Sequence, residues 1–227
     1  METKNNEVYE LKDRLCSVYE NNRSLIATGD LPFVTELREK AFTRFGELGF
    51  PTVALEAWKG TSLDKVLAHN YGLTLSPVEE DINAEDFFRC EIPNFNTLLV
   101  TQLNGWFVHH GQPIRVYPNG MIIGSLAASM KAYPEIFQQH YGRYAPIEDN
   151  GLTALNTALA LDGFFIYVPD NVQVEDVVQI VNVVNFPKDI FIQTRNLIVL
   201  GKNSSLKLVQ CDDSIDHRDS FINTVSE

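Results

Sequence analysis

Gly163-Phe164-Phe165-Ile166-Tyr167-Val168, followed by Pro169-Asp170-Asn171 and then by Val177 to Val184, decides how the second half of the chain is read. The pattern of a short apolar run closed by turn formers continues with Asn196 to Leu200, Ser205 to Gln210 and Ser220 to Val225. Each run is rich in Val, Ile, Leu or Phe and is cut by Asn, Asp, Gly, Ser or Pro, the residues that relieve a turn of its steric cost. Regular short strands of this kind predict a sandwich, a barrel or a β-solenoid. Spacing alone leaves the three open, because no internal repeat is visible.

Upstream of this stretch the period changes. Asn150 stands where a helix cap is needed, ahead of a compact helix from Leu152 to Leu161 with Leu152, Leu155, Ala158 and Leu159 on a stripe. A helical period also links Leu126, Met130, Ile136 and Phe137, with Pro134 breaking or restarting it. Before that, Pro118-Asn119-Gly120 turns the chain into a short strand, Met121-Ile122-Ile123. Asn104-Gly105 separates the apolar runs Thr97 to Leu103 and Trp106 to His109, and that dipeptide predicts a tight β-hairpin.

The first ninety residues read as helical. Val8, Leu11, Leu15 and Val18 fall on one face, and Phe33, Leu37, Ala41, Phe42 and Phe45 form a second stripe behind Asp30 and Pro32. A shorter helix is expected from Thr61-Ser62 through Val66 and Leu67, and another from Ser76-Pro77-Val78-Glu79, which has capping-box spacing. The fold class predicted is therefore α+β. A helical region spans residues 1–92, a small α/β linker 93–162, and a strand-rich core 163–227 that is still in a strand run at Glu227. That last feature suggests the N-terminal portion of a longer protein, with an open strand end suited to self-association.

Composition narrows the function classes. The chain has 227 residues, of which 44% are hydrophobic and 21% charged, a balance that fits a packed domain and not a disordered one. Lys and Arg total 18 against 30 Asp and Glu, a net charge of -12 that disfavours nucleic acid and anionic membrane surfaces as partners. No apolar run is long enough for a spanning helix, and the polar opening METKNNEVYELKDRL does not resemble a secretory signal. Cys16, Cys90 and Cys211 are odd in number and contain no CxxC pair, which points to a reducing compartment, the cytoplasm.

Motifs of self-contained chemistry are missing. The sequence holds no GxSxG, no GxxxxGK[ST], no GxGxxG and no HExxH. His109-His110 would point to opposite faces of a strand, so at most one could serve a shared site. Cys211-Asp212-Asp213-Ser214-Ile215-Asp216-His217 is the densest group of metal donors, with Cys211 and His217 as its soft ligands. The same residues read as a charged turn between two strands, which is the reading preferred. The chain is expected to be no enzyme, with no cofactor of its own.

Several stretches resemble a known family. Asn150-Gly151-Leu152-Thr153-Ala154-Leu155-Asn156-Thr157-Ala158, followed by Asp162-Gly163-Phe164-Phe165-Ile166-Tyr167-Val168-Pro169, is similar to the "LNTA…DG.FIYVP" signature of the SufB/SufD scaffold proteins. Val174-Glu175, Gln179-Ile180-Val181, Arg195 to Ser204 and Phe221 to Glu227 look like successive rungs of that family. Upstream, Pro51-Thr52 with Glu56-Ala57-Trp58-Lys59, Leu103-Asn104-Gly105, and Pro118 to Leu126 favour its SufD branch. The resemblance runs from about residue 40 to the end. It implies a right-handed parallel β-helix behind the N-terminal region, and a non-enzymatic scaffold for iron–sulfur cluster assembly in a SufB–SufC–SufD complex, where SufC is the ATPase. The family's C-terminal helices and cluster-related interface have no counterpart here, so the resemblance gives no residue of this chain a catalytic or cluster-ligand role. Two other readings stand beside it. One is a metal-binding β-fold enzyme, cupin-like or a polysaccharide-acting β-helix, using Cys211, Asp212, Asp213, Asp216 and His217. The other is a stand-alone interaction module.

Overall fold

A computed structural model describes residues 2–77, 97–215 and 218–227. The side chain of Val8, the helix expected beyond Ser76-Pro77, Cys90, Asp216 and His217 lie outside the described residues. The remainder is an α+β fold with an N-terminal helical region and two mixed sheets.

Helix α1 (Glu2–Ile26) buries Leu11, Leu15, Tyr19 and Ile26, with a kink at Asn22. Tyr19, not Val18, completes the expected stripe, because its ring stacks on Phe42 at 4.2 Å. Helix α2 (Pro32–Leu48) starts at its proline and buries Val34, Arg38, Ala41 and Phe45. A charged residue on the inward face was not expected, nor was the use to which Asp30 is put. It does not cap α2; it pairs with Arg38. After a 3-10 turn (Glu56–Trp58), the short helix α3 (Asp64–Leu67) forms where Thr61-Ser62 predicts it.

Strands β1 (Thr97–Leu103) and β2 (Trp106–Phe107) are the expected hairpin. Asn104 and Gly105 both take positive φ, 50° and 87°, which is the backbone twist that a two-residue hairpin needs. His109 and His110 fall beyond β2 in an exposed loop, so the strand geometry considered for them does not apply. Strands β3 (Ile114–Val116) and β4 (Ile122–Ser125) pair antiparallel around the Pro118-Asn119-Gly120 turn. Helices α4 (Leu126–Ala132) and α5 (Pro134–His140) meet at the proline, as its missing N–H requires. Helix α6 (Gly151–Leu159) begins at Asn150, whose side chain accepts from the N–H groups of Leu152 and Thr153, and ends two residues earlier than expected.

From here the chain alternates between the two sheets. Strands β5 (Phe164–Val168), β7 (Ile190–Leu200) and β9 (Ser220–Ser226) lie in parallel in one, in the order β3-β4-β5-β7-β9. Strands β6 (Gln173–Val184) and β8 (Ser205–Ser214) join β1 in parallel in the other, in the order β2-β1-β6-β8. Stacked partners such as Asn182 and Asp212 are 30 residues apart, and Gln173 and Ser205 are 32 apart. Strand β7 starts six residues before the run expected at Asn196, and β8 runs through Cys211, Asp212, Asp213 and Ser214, where a turn was expected. Parallel pairing with β6 overrides the local turn preference, as tertiary contacts do for β-propensity generally.

Alternation of side chains divides the core. Phe164, Ile166 and Val168 point to the layer between the sheets, against Val100, Val178 and Ile180. Phe165 points the other way and meets Leu126, Met130, Phe137 and Tyr141 of the helical side. Helices α1, α2 and α6 close a third cluster around Phe45, Leu155 and Phe191.

Candidate functional site

The residues of the signature stretch converge on one buried polar joint between α6 and the strands. Its centre is Arg195, a fully buried guanidinium in the middle of β7. Its Nη1 donates to the Thr157 hydroxyl at 2.6 Å, and Nη2 and Nε donate to Glu227 Oε2 at 2.8 and 3.2 Å. The guanidinium also lies over the Tyr141 ring, 4.9 Å from its centroid, an arrangement that suits a planar, weakly hydrated cation. Glu227 is shared further: its carboxylate accepts from the N–H groups of Gly142, Tyr144 and Ala145. One ion pair thus ties the last described strand, the middle of β7 and the loop after α5.

Asn156, the neighbour of Thr157 in the same motif, spans two strands. Its Nδ2 donates to the carbonyls of Thr194 and Asn223, each at 2.8 Å. Asn223 returns the connection, donating to Leu152 O and to Gln193 Oε1. These bonds satisfy backbone groups that would otherwise be buried without partners, a costly state in a region this dry.

The Asp162-Gly163 pair makes the corner. Asp162 accepts from Phe107 N–H at 3.1 Å, from the Ser125 hydroxyl at 2.8 Å and from Ala127 N–H at 3.1 Å, so it links β2 with the start of α4. Burial pushes its carboxyl above the usual range, against the downward pull of these hydrogen bonds. Gly163 has no alternative: a Cβ there would lie 1.8 Å from Arg195 O.

Arg38 completes the helical side. It donates to the carbonyls of Thr157, Ala158 and Ala160 at the C-terminal end of α6, and to Asp30 at 2.6 Å. A cation suits the negative end of a helix. Burial opposes its charge, but the field of Tyr141 and Asp30 prevails and holds its pKa above the ordinary value.

Of the weaker metal candidates near the chain's end, Cys211, Asp212 and Asp213 are described, and all three lie along β8. Cys211 sits within β8, partly buried, and its Sγ accepts a long contact from Gln179 at 3.8 Å. Asp212 takes a hydrogen bond from Asn182 at 2.6 Å, and successive residues of a strand face opposite ways. The charged turn expected there is replaced by strand through Ser214, and His217 lies outside the described residues. Cys16 is a free thiol on α1 whose pKa is raised by burial, so it is no ready thiolate. Sequence reasoning missed Arg195, Glu227, Arg38 and Asp30. The signal was present for one of them: Arg195 is the charged residue in the polar stretch Gln193–Asn196, which is flanked on both sides by apolar strand residues.

Comparison with known proteins identifies the family. A family model described as the SufBD protein N-terminal region matches residues 9–180. The iron-sulfur cluster assembly protein SufD of Bacillus subtilis is 26% identical over 200 residues, covering 86% of this chain and 45% of that protein. SufB of the same organism is 29% identical over 103 residues, 45% of this chain and 22% of its own length. The SufBD family protein ABCI9 of Arabidopsis thaliana is 40% identical over 53 residues, 23% of this chain and 11% of its own length. The chain thus spans less than half the length of each of these relatives. Among the described residues no helix is long and apolar enough to cross a membrane. On that family match, which covers most of its length, the chain belongs to the SufB/SufD family.

Proposed function

We propose that this chain forms the N-terminal portion of a non-enzymatic scaffold subunit for iron–sulfur cluster assembly, of the SufD branch, acting in the cytoplasm with SufB and SufC homologues. The family match over residues 9–180 carries the reading. The SufD assignment is supported by coverage, since the likeness to the Bacillus SufD extends over 86% of the chain and that to SufB over 45%. The cluster is the cargo of the complex, and this chain needs no cofactor of its own. Its strands, alternating between two sheets with parallel partners about thirty residues on, are read as the first coils of a right-handed parallel β-helix. Such a stack presents a long, stiff surface, which is what a scaffold requires. The joint at Arg195 fixes the helical region against that stack.

Pull-down of the natural-length protein from its own cells tests the reading. SufB and SufC homologues should co-purify in stoichiometric amounts. A folded, monomeric protein that brings down neither would overturn it.

A further inference from the structure

We propose that His69, Asp189 and Asp219 form a binding site for one divalent cation of the zinc class. The three come from distant parts of the chain. His69 follows α3, while Asp189 and Asp219 each occupy the position just before a strand, β7 and β9. Parallel pairing of Ile190 with Ser220 stacks the two aspartates on successive strands. Like charges in that relation repel, and the imidazole enters beside them.

Distances fit such a guest. His69 Nδ1 lies 3.6 Å from Asp189 Oδ2 and 3.4 Å from Asp219 Oδ2, and one donor atom from each residue lies within 4.8 Å of the others. A charge-assisted hydrogen bond would draw such atoms to about 2.7–2.9 Å. Two ligands that share a tetrahedral zinc ion, each bonded at about 2.0–2.1 Å, stand roughly 3.3–3.4 Å apart. The separations here fit ligands around an ion, with a fourth position left toward solvent by the exposed Asp219. One imidazole nitrogen with two carboxylate oxygens suits zinc and its neighbours in the first transition row; magnesium prefers an all-oxygen octahedron.

The donors are held in place by their surroundings. The imidazole stacks on Tyr71 at 5.6 Å, Tyr71 donates its hydroxyl to Val66 O at 2.8 Å, and Arg14 donates to Tyr71 O at 2.8 Å. Gly72 N–H donates to Asp189 O at 2.7 Å, and Phe191 N–H donates to Gly72 O at 2.8 Å, so the segment after His69 is bonded to the strand that carries Asp189. Asp189 Oδ1 accepts Asp219 N–H at 3.3 Å, which leaves its Oδ2 for the ion. A bound cation would staple the loop after α3 to two successive strands, independently of the scaffold reading.

The test uses natural-length protein stripped with a chelator and titrated with zinc, and separately with cobalt(II) as a spectroscopic substitute. Wild type should take up one more equivalent of zinc than the His69→Gln variant and than an Asp189→Asn Asp219→Asn variant, with far-UV circular dichroism unchanged. The extra cobalt should show tetrahedral d–d bands without a thiolate charge-transfer band, and zinc should raise the melting temperature of wild type alone. Equal stoichiometry in wild type and His69→Gln, a thiolate band on the extra ion, or folded stripped protein that binds no zinc would each overturn the site.

Discussion

The guanidinium of Arg195 and the carboxylate of Glu227 meet at 2.8 Å with both side chains wholly buried, one in the middle of β7 and the other just past the end of β9. Neither charge is left alone. Arg195 has Thr157 and the Tyr141 ring, and Glu227 has three backbone N–H groups from residues 142–145.

Removing one member should therefore strand the other. Arg195→Ala and Glu227→Ala are each expected to cost about 3–5 kcal/mol, the usual result of leaving an unpaired buried charge. The double variant should cost much less than the sum of the two. Urea unfolding of the four proteins measures the coupling, and simple additivity would show that the pair is not a unit.

Arg38 should behave differently, because much of its work is done on backbone carbonyls. Arg38→Met should lower stability by about 3 kcal/mol, and Arg38→Lys should recover only part, since an ammonium cannot span three carbonyls and Asp30 at once. Hydrogen exchange of the last turn of α6 should rise in both variants, more in Met.

Asp162 sets a pH dependence of definite sign. Burial raises its carboxyl pKa in the folded state, so between the unfolded value, about 3.9, and the folded one the native chain binds more protons than the unfolded chain. Stability from this group is greatest at low pH, falls as pH rises through that window, and is level above it. Asp162→Asn should remove this contribution and cost about 1–3 kcal/mol in addition, because its amide sets a donor against Phe107 N–H or Ala127 N–H. Denaturation midpoints of the two proteins across the acid range give the comparison.

Two glycines should respond in opposite directions. Gly163→Ala forces a methyl group into Arg195 O and should cost about 3 kcal/mol or more. Gly46 lies inside α2 with open space around it, and Gly46→Ala should add about 0.5–1 kcal/mol. Thermal melts of both variants check the contrast.

Local chemistry made part of this fold legible. Asn104-Gly105, Pro134 and Asn150 act on their own backbone, so the hairpin, the helix break and the cap could be read from a few residues each. What escaped was decided across the sheets. Asp212 looks like a turn residue until Asn182, a strand away, gives it a hydrogen bond. Cys211 and His217 drew attention by proximity in sequence, whereas Asp189 and Asp219 are neighbours through the register of β7 on β9, and His69 joins them through the bridge of Gly72 to Ile190. The Arg195–Glu227 pair was hidden for the same reason, since its partners are 32 residues apart and meet only through strand stacking.

The spacing of about thirty residues between stacked strands also governs how such a chain can change length. Deleting one residue within β7 would turn the following side chains to the opposite face, carrying Asn196 out of reach of Ser226 and apolar residues toward solvent. In the β-helix proposed above, excising a whole coil would instead bring equivalent positions back into line. Growth and shortening of such a coil stack would therefore be quantised, with small insertions confined to the loops between strands.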